Sequence, residues 1–402
     1  MVKLKYLRHP IRTSSAAKDL FAARLSMWRF AAYGERRFRG DARYNLQNVT
    51  DGFTSRIDDS GDDTELLERI CTAYIRTVKQ QQSAAETYDA TEWWQQVRQR
   101  SLAPVIQALL TRDVVSLRRM YRNFFRDPCS TGLLTAPYGM SKAFFRKNIK
   151  DIHRQFYLSL VLHRLDYWMG QTGGMFTLRD LVGPDIGNPF GVQIEGMHIR
   201  VGAEYAHYCA HRLDHLLGSE VGTIAEIGGG FGGMAYYLLR NRSRVTYLDF
   251  DVPESIALTS YYLLRAFPQL KFLLYGEEKL TKEAIARVNV VLMPVFELAA
   301  MPSMSVDVTF SSHAMSDISS EALVEYLNDI DRVTRSCFLH IGNKRASESI
   351  SNLVGQRYTS FELAETRTSD WHSHKVFLAG AGSTAGNALS TMLEQRYTRT
   401  AL

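Results

Sequence analysis

A run of glycines with an acidic residue just before it is the most informative chemical feature of this 402-residue sequence. The stretch reads TIAEIGGGFGGMAYYLL over residues 223–239, and five glycines fall within the six positions 228–233. An apolar run leads into the glycines, and an apolar run with helical spacing follows them. Glycines at a strand-to-helix turn let the backbone approach a ligand closely, so this turn is predicted to bind a cofactor.

The glycines fit two cofactor motifs that differ in their electrostatics. The G-x-G-x-x-G of dinucleotide-binding folds is formed by Gly228, Gly230 and Gly233. The E-x-G-x-G-x-G of S-adenosylmethionine sites is formed by Glu226, Gly228, Gly230 and Gly232. A dinucleotide places a pyrophosphate at the helix N-terminus and needs no anion there. S-adenosylmethionine has no phosphate and carries an ammonium and a sulfonium, so Glu226 favours this methyl donor as the cofactor.

Two further acids stand at the end of the next β-type run, YLDFDVPES. Asp249 and Asp251 are two residues apart, which places them on the same face of a strand. An acid at this position binds ribose hydroxyls in both kinds of fold. The pair therefore predicts a nucleoside ligand without distinguishing between the two cofactors.

The elements that must position these residues begin near residue 221, where short β-type runs start to alternate with helices. This alternation predicts an α/β fold with a doubly wound, mainly parallel sheet. Near the C-terminus the runs SFELAET and HKVFLAG are separated only by RTSDWHS. That connection is too short for a crossover helix, so the two runs are predicted to pair as an antiparallel hairpin. Such a last strand is typical of the Rossmann-like core of class I methyltransferases.

The chain before the sheet has a different character. Residues 63–170 have mostly helical periodicity, and the Gly- and Pro-rich segment 181–191 is the best candidate for a boundary. Three segments are predicted: a basic arm and helical region on the acceptor side (1–185), the methyltransferase core (186–385) and a C-terminal tail (386–402).

Several segments together resemble the sugar O-methyltransferase family. They are AEIGGGFGGMAYYLL, YLDFDVPESIALTSYYLL, VDVTFSSHAMSDISSEALVEYL, HIGN and, upstream, GNPFG, and the similarity covers about residues 185–380. The resemblance implies a sugar or glycan acceptor. It favours Asp251 over Asp249 for the ribose, because Asp251 matches the acid of the family's Asp-x-Pro-Glu. It also assigns Asn188, in GNPFG, to substrate binding. Asp317 and Ile318 stand where the family usually has Glu and Met.

The acceptor hydroxyl needs a general base, and His313 is the best-placed candidate. It ends VDVTFSSH, on the same sheet edge as the glycine loop, and an ordinary imidazole titrates near neutral pH. The alternative is that His313 only bonds loop backbone. Asp317 is predicted either to orient His313 or to bind a sugar hydroxyl. Asn343, which ends CFLHIGN, is a candidate hydroxyl ligand or a structural residue.

A metal site is not expected. His207, His211 and His215 share one helical face, but the pattern lacks the acid of H-E-x-x-H, since Cys209 and Ala210 stand between the first two histidines. An amphipathic core helix is therefore the favoured interpretation. Paired carboxylates are also missing from the sequence after the fourth and fifth strands. Cys71, Cys129, Cys209 and Cys337 form no CxxC pair, which indicates buried thiols in a reducing, cytoplasmic compartment.

Composition limits the other partners. Residues 1–50 contain 11 basic and three acidic residues, a net charge of +8, while the whole chain carries +6. This arm suits a phosphorylated or nucleotide-linked acceptor, a solvated face or a homo-oligomer contact. No nucleic acid is expected as a partner, and no apolar run reaches the length of a membrane span.

The function predicted from the sequence is therefore S-adenosylmethionine-dependent O-methylation of a sugar or glycan, with general-base assistance. Three alternatives stay open. They are methylation of a non-sugar small molecule, a nicotinamide-dependent oxidoreductase that uses the G-x-G-x-x-G spacing, and a non-catalytic partner protein with a methyltransferase-like core.

Overall fold

The structure is a computed structural model that describes residues 24–25, 27–57, 61–134, 150–200, 202–218, 221–316, 318–372 and 391–400. The described helices are α1 (27–37), α2 (Leu46–Thr54), α3 (Thr64–Gln81), α4 (Glu92–Val97), α5 (Ala103–Thr111), α6 (Val114–Tyr121), α7 (Asp151–Gln171), α8 (Ala203–Leu217), α9 (Gly233–Asn241), α10 (Pro253–Ala266), α11 (Lys282–Ala286), α12 (Ser320–Val333) and α13 (Lys344–Arg357).

The described strands form a small hairpin and one large sheet. They are β1 (Gly191–Ile194), β2 (Met197–Arg200), β3 (Gly222–Ile227), β4 (Val245–Asp251), β5 (Phe272–Leu274), β6 (Val290–Pro294), β7 (Val306–Ser312), β8 (Thr334–Asn343), β9 (Phe361–Ser369) and β10 (Met392–Arg399). The large sheet has eight strands in the order β5-β6-β4-β3-β7-β8-β10-β9. Strands β3 to β8 pair in parallel, and β10 runs antiparallel to both of its neighbours.

This topology confirms the predicted fold class. The chain leaves β3 toward β4 on one side, and later returns to place β7 on the other side of β3. The crevice outside the carboxyl ends of the strands at such a switch point is where ligands bind in open α/β sheets. Glu226 at the end of β3 pairs in register with Asp249 of β4 and Phe310 of β7, so the candidate site residues of three strands reach the same edge.

The C-terminal strand differs from the one predicted. The antiparallel partner of β9 is β10, and the predicted partner HKVFLAG lies in 373–390, outside the described residues. The eight residues of β10 fall in the segment 386–402, so assigning them to a tail was wrong. Tyr397 and Met392 are buried, which shows that β10 belongs to the core. The period-two pattern of MLEQRYTR is weak, because charged and apolar residues do not separate cleanly between its faces.

The helical region and the sheet share one hydrophobic core. The largest buried cluster contains side chains of α3, α5 and α6 together with side chains of α8, α9 and α10. Asp63, just before α3, is buried and receives hydrogen bonds or ion pairs from Arg118 at 2.5 Å, from Tyr261 at 3.3 Å and from Arg265 at 3.5 Å. The change of character near residue 185 is therefore a change of secondary structure within one core.

The small hairpin of β1 and β2 forms a two-stranded sheet of its own. Sequence patterns did not indicate β1 and β2, whose four-residue strands are too short to show a period.

Cys71, Cys129, Cys209 and Cys337 are all buried and free, as predicted. In the described part of the chain, no helix has the length and apolarity that a bilayer crossing requires.

Candidate cofactor-binding and catalytic site

Three neighbouring strands deliver the candidate residues to one edge of the sheet. Glu226 is the second-to-last residue of β3, Asp251 is the last residue of β4, and His313 follows the last residue of β7. Because β4, β3 and β7 are adjacent and parallel, their carboxyl ends are adjacent too. The sequence prediction that these residues share one edge is therefore correct.

The glycine loop between β3 and α9 has little room for side chains. Gly228 has a φ of 83°, and a Cβ there would lie 2.1 Å from the Cβ of Ala314. Gly230 has a φ of 65°, and a Cβ there would lie 2.9 Å from the carbonyl oxygen of Leu133. Both positions combine a left-handed backbone with a close neighbour, so each requires glycine. Gly232 is the N-cap of α9, has a left-handed backbone and packs against α10. It lines neither cavity, so the need for glycine at this position comes from the helix start.

Two aspartates of β4 accept hydrogen bonds from the backbone of this loop. The Gly229 N–H donates to Oδ1 of Asp249 at 3.1 Å, and the Gly230 N–H donates to Oδ2 of Asp251 at 3.0 Å. Asp249 is fully buried, whereas Asp251 lies in a cavity wall. The two acids, of which the family resemblance favoured Asp251, therefore have different surroundings. Both acids support the loop, but of the two only Asp251 also lines a cavity.

Burial and mutual repulsion disturb the ionisation of this acidic cluster. Burial is the largest cause in each case. It raises the pKa of Glu226 to about 7, against a lowering by the hydrogen bond that the Tyr247 hydroxyl donates at 2.6 Å. It raises the pKa of Asp251 to about 6, against lowering by hydrogen bonds from Ser255, Val252 and Gly230. Burial, with the charges of Asp251 and Glu226, raises the pKa of Asp249 well above its ordinary value. Bringing a cation next to these carboxylates would relieve this cost.

Two cavities open at this edge and meet along shared walls. The first has a volume of about 330 Å³, and its walls include Asp251, Val252, Val295, Tyr88 and Trp94. The second has a volume of about 360 Å³, and its walls include Glu226, Arg200, Tyr205, Cys209 and Phe231. Residues that line both cavities are Gly132, Leu133, Gly228, Gly230, Ser312 and His313. An elongated ligand could therefore run past the glycine loop from one cavity into the other.

His313 lies at the junction of the two cavities. Its backbone is left-handed, with a φ of 69°, and its N–H donates to the carbonyl oxygen of Ile341 at 2.8 Å. Left-handed backbone is uncommon for residues other than glycine and tends to occur at functional sites. The Tyr205 ring lies 6.0 Å from the imidazole, and the hydroxyl groups of Tyr205 and Ser312 are 2.6 Å apart. The imidazole is half-buried, so it is partly accessible from the cavities.

The two predicted substrate ligands, Asn188 and Asn343, lie outside these two cavities. Asn188 is buried, and its side-chain N–H donates to Oδ1 of Asn123 at 2.9 Å while its own Oδ1 accepts from the Ile57 N–H at 3.4 Å. Asn343 caps α13, with its side-chain oxygen accepting from the Ala346 N–H at 2.9 Å. Neither residue lines either of these two cavities, although Asn343 lines a third cavity of about 960 Å³ between α12 and α13. Substrate binding by these two residues stays a prediction. Asp317 lies outside the described residues.

Of the other histidines near the site, His207 and His340 are buried in the core, whereas His211 is half-buried and His215 is exposed. Burial lowers the pKa of His207 to about 4, and its Nδ1 accepts a hydrogen bond from Trp168 Nε1 at 3.2 Å. Burial and the neighbouring His313 lower the pKa of fully buried His340 to about 3. Among the residues that the structure describes, no group of His, Cys, Asp and Glu could hold a metal ion. Metal independence itself stays a prediction.

Glu254 is an important residue that sequence reasoning did not single out. It is buried at the start of α10, and it accepts hydrogen bonds from Tyr74 at 3.2 Å and from Trp94 Nε1 at 3.3 Å. The Arg98 guanidinium pairs with the same carboxylate at 3.1 Å. Glu254 thereby joins the first cavity's cover, residues 88–94, to the sheet domain. The signal in the sequence was an acid directly after a proline at a helix start, which is also an ordinary helix N-terminus.

The strand order, the glycine loop and the acid at the end of the second core strand together define the class I methyltransferase fold. No protein-family model matches the chain, and no curated protein matches it.

Solved structures that resemble the chain include methyltransferases of diverse substrates. A SAM-dependent methyltransferase from Aquifex aeolicus is 13% identical, with a TM-score of 0.32 over 47% of this chain and 88% of that one. Magnesium protoporphyrin IX methyltransferase from Synechocystis, solved with SAH, is 13% identical, with a TM-score of 0.33 over 60% and 99%. Geranyl diphosphate C-methyltransferase from Streptomyces coelicolor is 11% identical, with a TM-score of 0.33 over 51% and 78%. These similarities concern the fold and carry no argument about this protein's substrate.

Proposed function

We propose that this protein is an S-adenosylmethionine-dependent methyltransferase. The observation that carries the proposal is the cluster of Glu226, Asp249 and Asp251 around a glycine loop, with pKa values raised by burial. Such a cluster favours a cationic ligand, and Gly228 and Gly230 present bare backbone in the walls of both cavities, where a ligand can contact it directly. An ammonium-bearing nucleoside meets both conditions.

The residues of the two cavities match the parts of this ligand. Asp251 is half-buried in the first cavity and would accept from ribose hydroxyls, while apolar Val252 and Val295 would contact the base. Glu226 in the second cavity would accept from the α-ammonium. When bound, S-adenosylmethionine supplies an activated methyl group. Its sulfur joins the nucleoside to the amino-acid half, so the residues that would surround the methyl group are those shared by the two cavities.

His313 is proposed as the general base because it lines both cavities at this junction. Its task is to take the proton of the acceptor hydroxyl, which is a poor nucleophile at neutral pH. The strained backbone at His313 holds the imidazole at the sheet edge, and the hydrogen bond to Ile341 anchors it. Alignment of the acceptor by the surrounding walls supplies the remaining rate enhancement.

The dinucleotide alternative is less well supported by the same site. A pyrophosphate beside the glycine loop would lie next to Glu226, Asp249 and Asp251, and repulsion from these acids would oppose its binding. Two of these acids already accept hydrogen bonds from the loop N–H groups that a phosphate would use. An oxidoreductase that uses this loop is therefore disfavoured.

A sugar or glycan hydroxyl is proposed as the methyl acceptor, on the strength of the sequence resemblance to sugar O-methyltransferases. A phosphorylated or nucleotide-linked sugar is the form that would also use the basic N-terminal arm. A non-sugar small molecule is the competing acceptor. Transfer of labelled methyl groups to panels of nucleotide sugars and of non-sugar hydroxyl compounds separates the two proposals.

Ligand binding tests the class of enzyme before any acceptor is known. Differential scanning fluorimetry should show a higher melting temperature with S-adenosylmethionine or S-adenosylhomocysteine, and no change with NADH. A ligand at 100 times its Kd stabilises a protein by about 2.7 kcal/mol, which is readily detected. Stabilisation by NADH alone would overturn the proposal, and binding of none of the three ligands would favour a non-catalytic protein.

A further inference from the structure

Arg200 stands out among the side chains of the second cavity. It is the last residue of β2 and is only 3% exposed, yet it lines the cavity that also contains Glu226. Among the described residues that line this cavity, Arg200 is the single Lys or Arg residue and Glu226 is the single Asp or Glu residue. A site with one buried cation and one buried acid suits a zwitterion better than a polyanion.

Aromatic rings hold the guanidinium in place. Its central carbon lies 5.1 Å from the ring centre of Phe231, 5.6 Å from that of Phe125 and 5.9 Å from that of Tyr237. Phe231 belongs to the glycine loop itself. Stacking on aromatic faces stabilises a guanidinium and restricts its rotamers, so less conformational entropy is lost when it binds an anion.

The hairpin explains how Arg200 reaches the site. Arg200 pairs with Gly191 in the β1–β2 ladder, and a Cβ at Gly191 would lie 2.0 Å from the carbonyl oxygen of Ile199. This close packing fixes the strand that carries Arg200. Gly202, also in the cavity wall, then begins α8. The hairpin therefore delivers a buried cation to the cavity from outside the sheet.

We propose that Arg200 binds the carboxylate of the amino-acid half of the cofactor, while Glu226 accepts from its ammonium. This inference rests on the proposed methyltransferase function. A planar guanidinium suits a carboxylate, because its N–H groups match the two oxygens. Arg200 and Glu226 then select the amino-acid half of the ligand, as Asp251 selects the ribose.

The test compares two ligands that differ in the amino-acid half. S-adenosylhomocysteine contains it, and 5′-methylthioadenosine keeps the nucleoside and the sulfur without it. In Arg200→Met the affinity for S-adenosylhomocysteine, measured by titration calorimetry, should fall by about 10- to 100-fold, the range for a charge-assisted hydrogen bond. The affinity for 5′-methylthioadenosine should change by less than about threefold, as expected where no charge contact is lost.

Arg240→Met is the matched control. Arg240 also stacks on Tyr237, at 5.0 Å, but it donates to the backbone oxygens of Asp180 and Val182 and is absent from both cavity walls. This variant should leave both affinities unchanged. If Arg200→Met binds S-adenosylhomocysteine as tightly as the wild type, or loses both ligands by the same factor, the assignment of Arg200 is overturned.

The wild-type protein gives a second measurement if Arg200→Met does not fold. It should bind S-adenosylmethionine at least about 10-fold more tightly than decarboxylated S-adenosylmethionine. Equal affinities would overturn the assignment of Arg200 while leaving the methyltransferase proposal intact. A wild-type protein that binds none of the four ligands would overturn both proposals.

Discussion

At the scale of single residues, the two aspartates of β4 are of the same type but have different surroundings. Asp249 is fully buried beneath the loop, and Asp251 is half-buried in the cavity wall. Both accept from loop N–H groups, but of the two only Asp251 lines a cavity. Their different exposure leads to a direct comparison of two isosteric variants.

We expect Asp251→Asn to weaken S-adenosylhomocysteine binding by about 10-fold or more, because the amide is a weaker acceptor for ribose hydroxyls. The melting temperature should hold or rise, since one of three mutually repelling acids is removed. Calorimetric titration and thermal unfolding measure the two quantities. Asp249→Asn is the comparison variant. If Asp249→Asn lost S-adenosylhomocysteine binding while Asp251→Asn bound it normally, the assignment of the two acids would be reversed.

The raised pKa values predict a pH dependence. Glu226 and Asp251 have pKa values of about 7 and about 6, above the ordinary values of 4.5 and 3.8, so the folded protein holds extra protons between about pH 4 and 7. Raising the pH through this window ionises buried acids and lowers the free energy of unfolding of the ligand-free protein. A cationic ligand prefers the ionised acids, so stabilisation by S-adenosylmethionine should increase from about pH 5 to about pH 8.

The measurement is the difference in melting temperature with and without S-adenosylmethionine across that range. Glu226→Gln should remove the part of the increase near pH 7, because the amide does not ionise. A stabilisation that is flat or falls with increasing pH would contradict the proposed ammonium contact.

For His313, the left-handed backbone determines which variant is informative. His313→Asn tolerates a positive φ better than alanine, so it removes the imidazole with less backbone strain. We expect kcat to fall by about 100-fold or more and S-adenosylhomocysteine binding to stay nearly unchanged. The acid limb of the pH–rate profile should disappear. A raised KM with an unchanged kcat and a persisting acid limb would instead indicate that His313 only binds the acceptor.

At the scale of elements, the cover of the first cavity is held by one buried carboxylate at the start of α10. Residues 88–94 carry Tyr88 and Trp94 into the cavity wall, and Trp94 donates to Glu254. Tyr88 also donates to Asp329 of α12 at 2.7 Å. The helical region therefore completes the cavity, whose walls include residues from both halves of the chain.

We expect Glu254→Gln to destabilise the protein by about 1 to 3 kcal/mol, because Tyr74, Trp94 and Arg98 lose a charged acceptor. S-adenosylhomocysteine should also dissociate faster as the cover loosens. Denaturant unfolding and stopped-flow fluorescence measure these effects. Glu321→Gln is the matched control, since Glu321 is likewise the second residue of a helix but is exposed. Equal, small effects in both variants would argue against an anchoring function for Glu254.

At the scale of the whole molecule, one hydrophobic cluster crosses the predicted boundary at residue 185. Helix α3 packs against α10, and Asp63 ties α6 to α10 through Arg118 and Arg265. Domains that share a core of this size do not unfold independently.

The full chain should therefore unfold in one calorimetric transition that contains the signals of both halves. A fragment of residues 186–402 should fail to unfold cooperatively, because the apolar faces of α9 and α10 would lose their packing partners. Two separate transitions, or a soluble fragment that binds S-adenosylhomocysteine, would contradict a shared core.

The sequence by itself determined the features that depend on local pattern. The glycine loop, Glu226, the two aspartates of β4 and His313 were predicted because each lies at the end of a strongly apolar strand, and parallel strands bring such ends to one edge. The doubly wound sheet followed from the alternation of strands and helices.

Only the tertiary structure decided what depends on distant parts of the chain. Arg200 lies in a segment without a distinctive pattern, and Glu254 is an acid at an ordinary helix start. The importance of both comes from contacts with Phe231 and Trp94. Asn188 and Asn343 matched the expected residue types but are used by neighbouring backbone and side-chain groups. The last strand, β10, was missed because its sequence alternates weakly and its position is set by β8 and β9. Contacts between residues far apart in sequence leave no local signal, so only the folded chain reveals them.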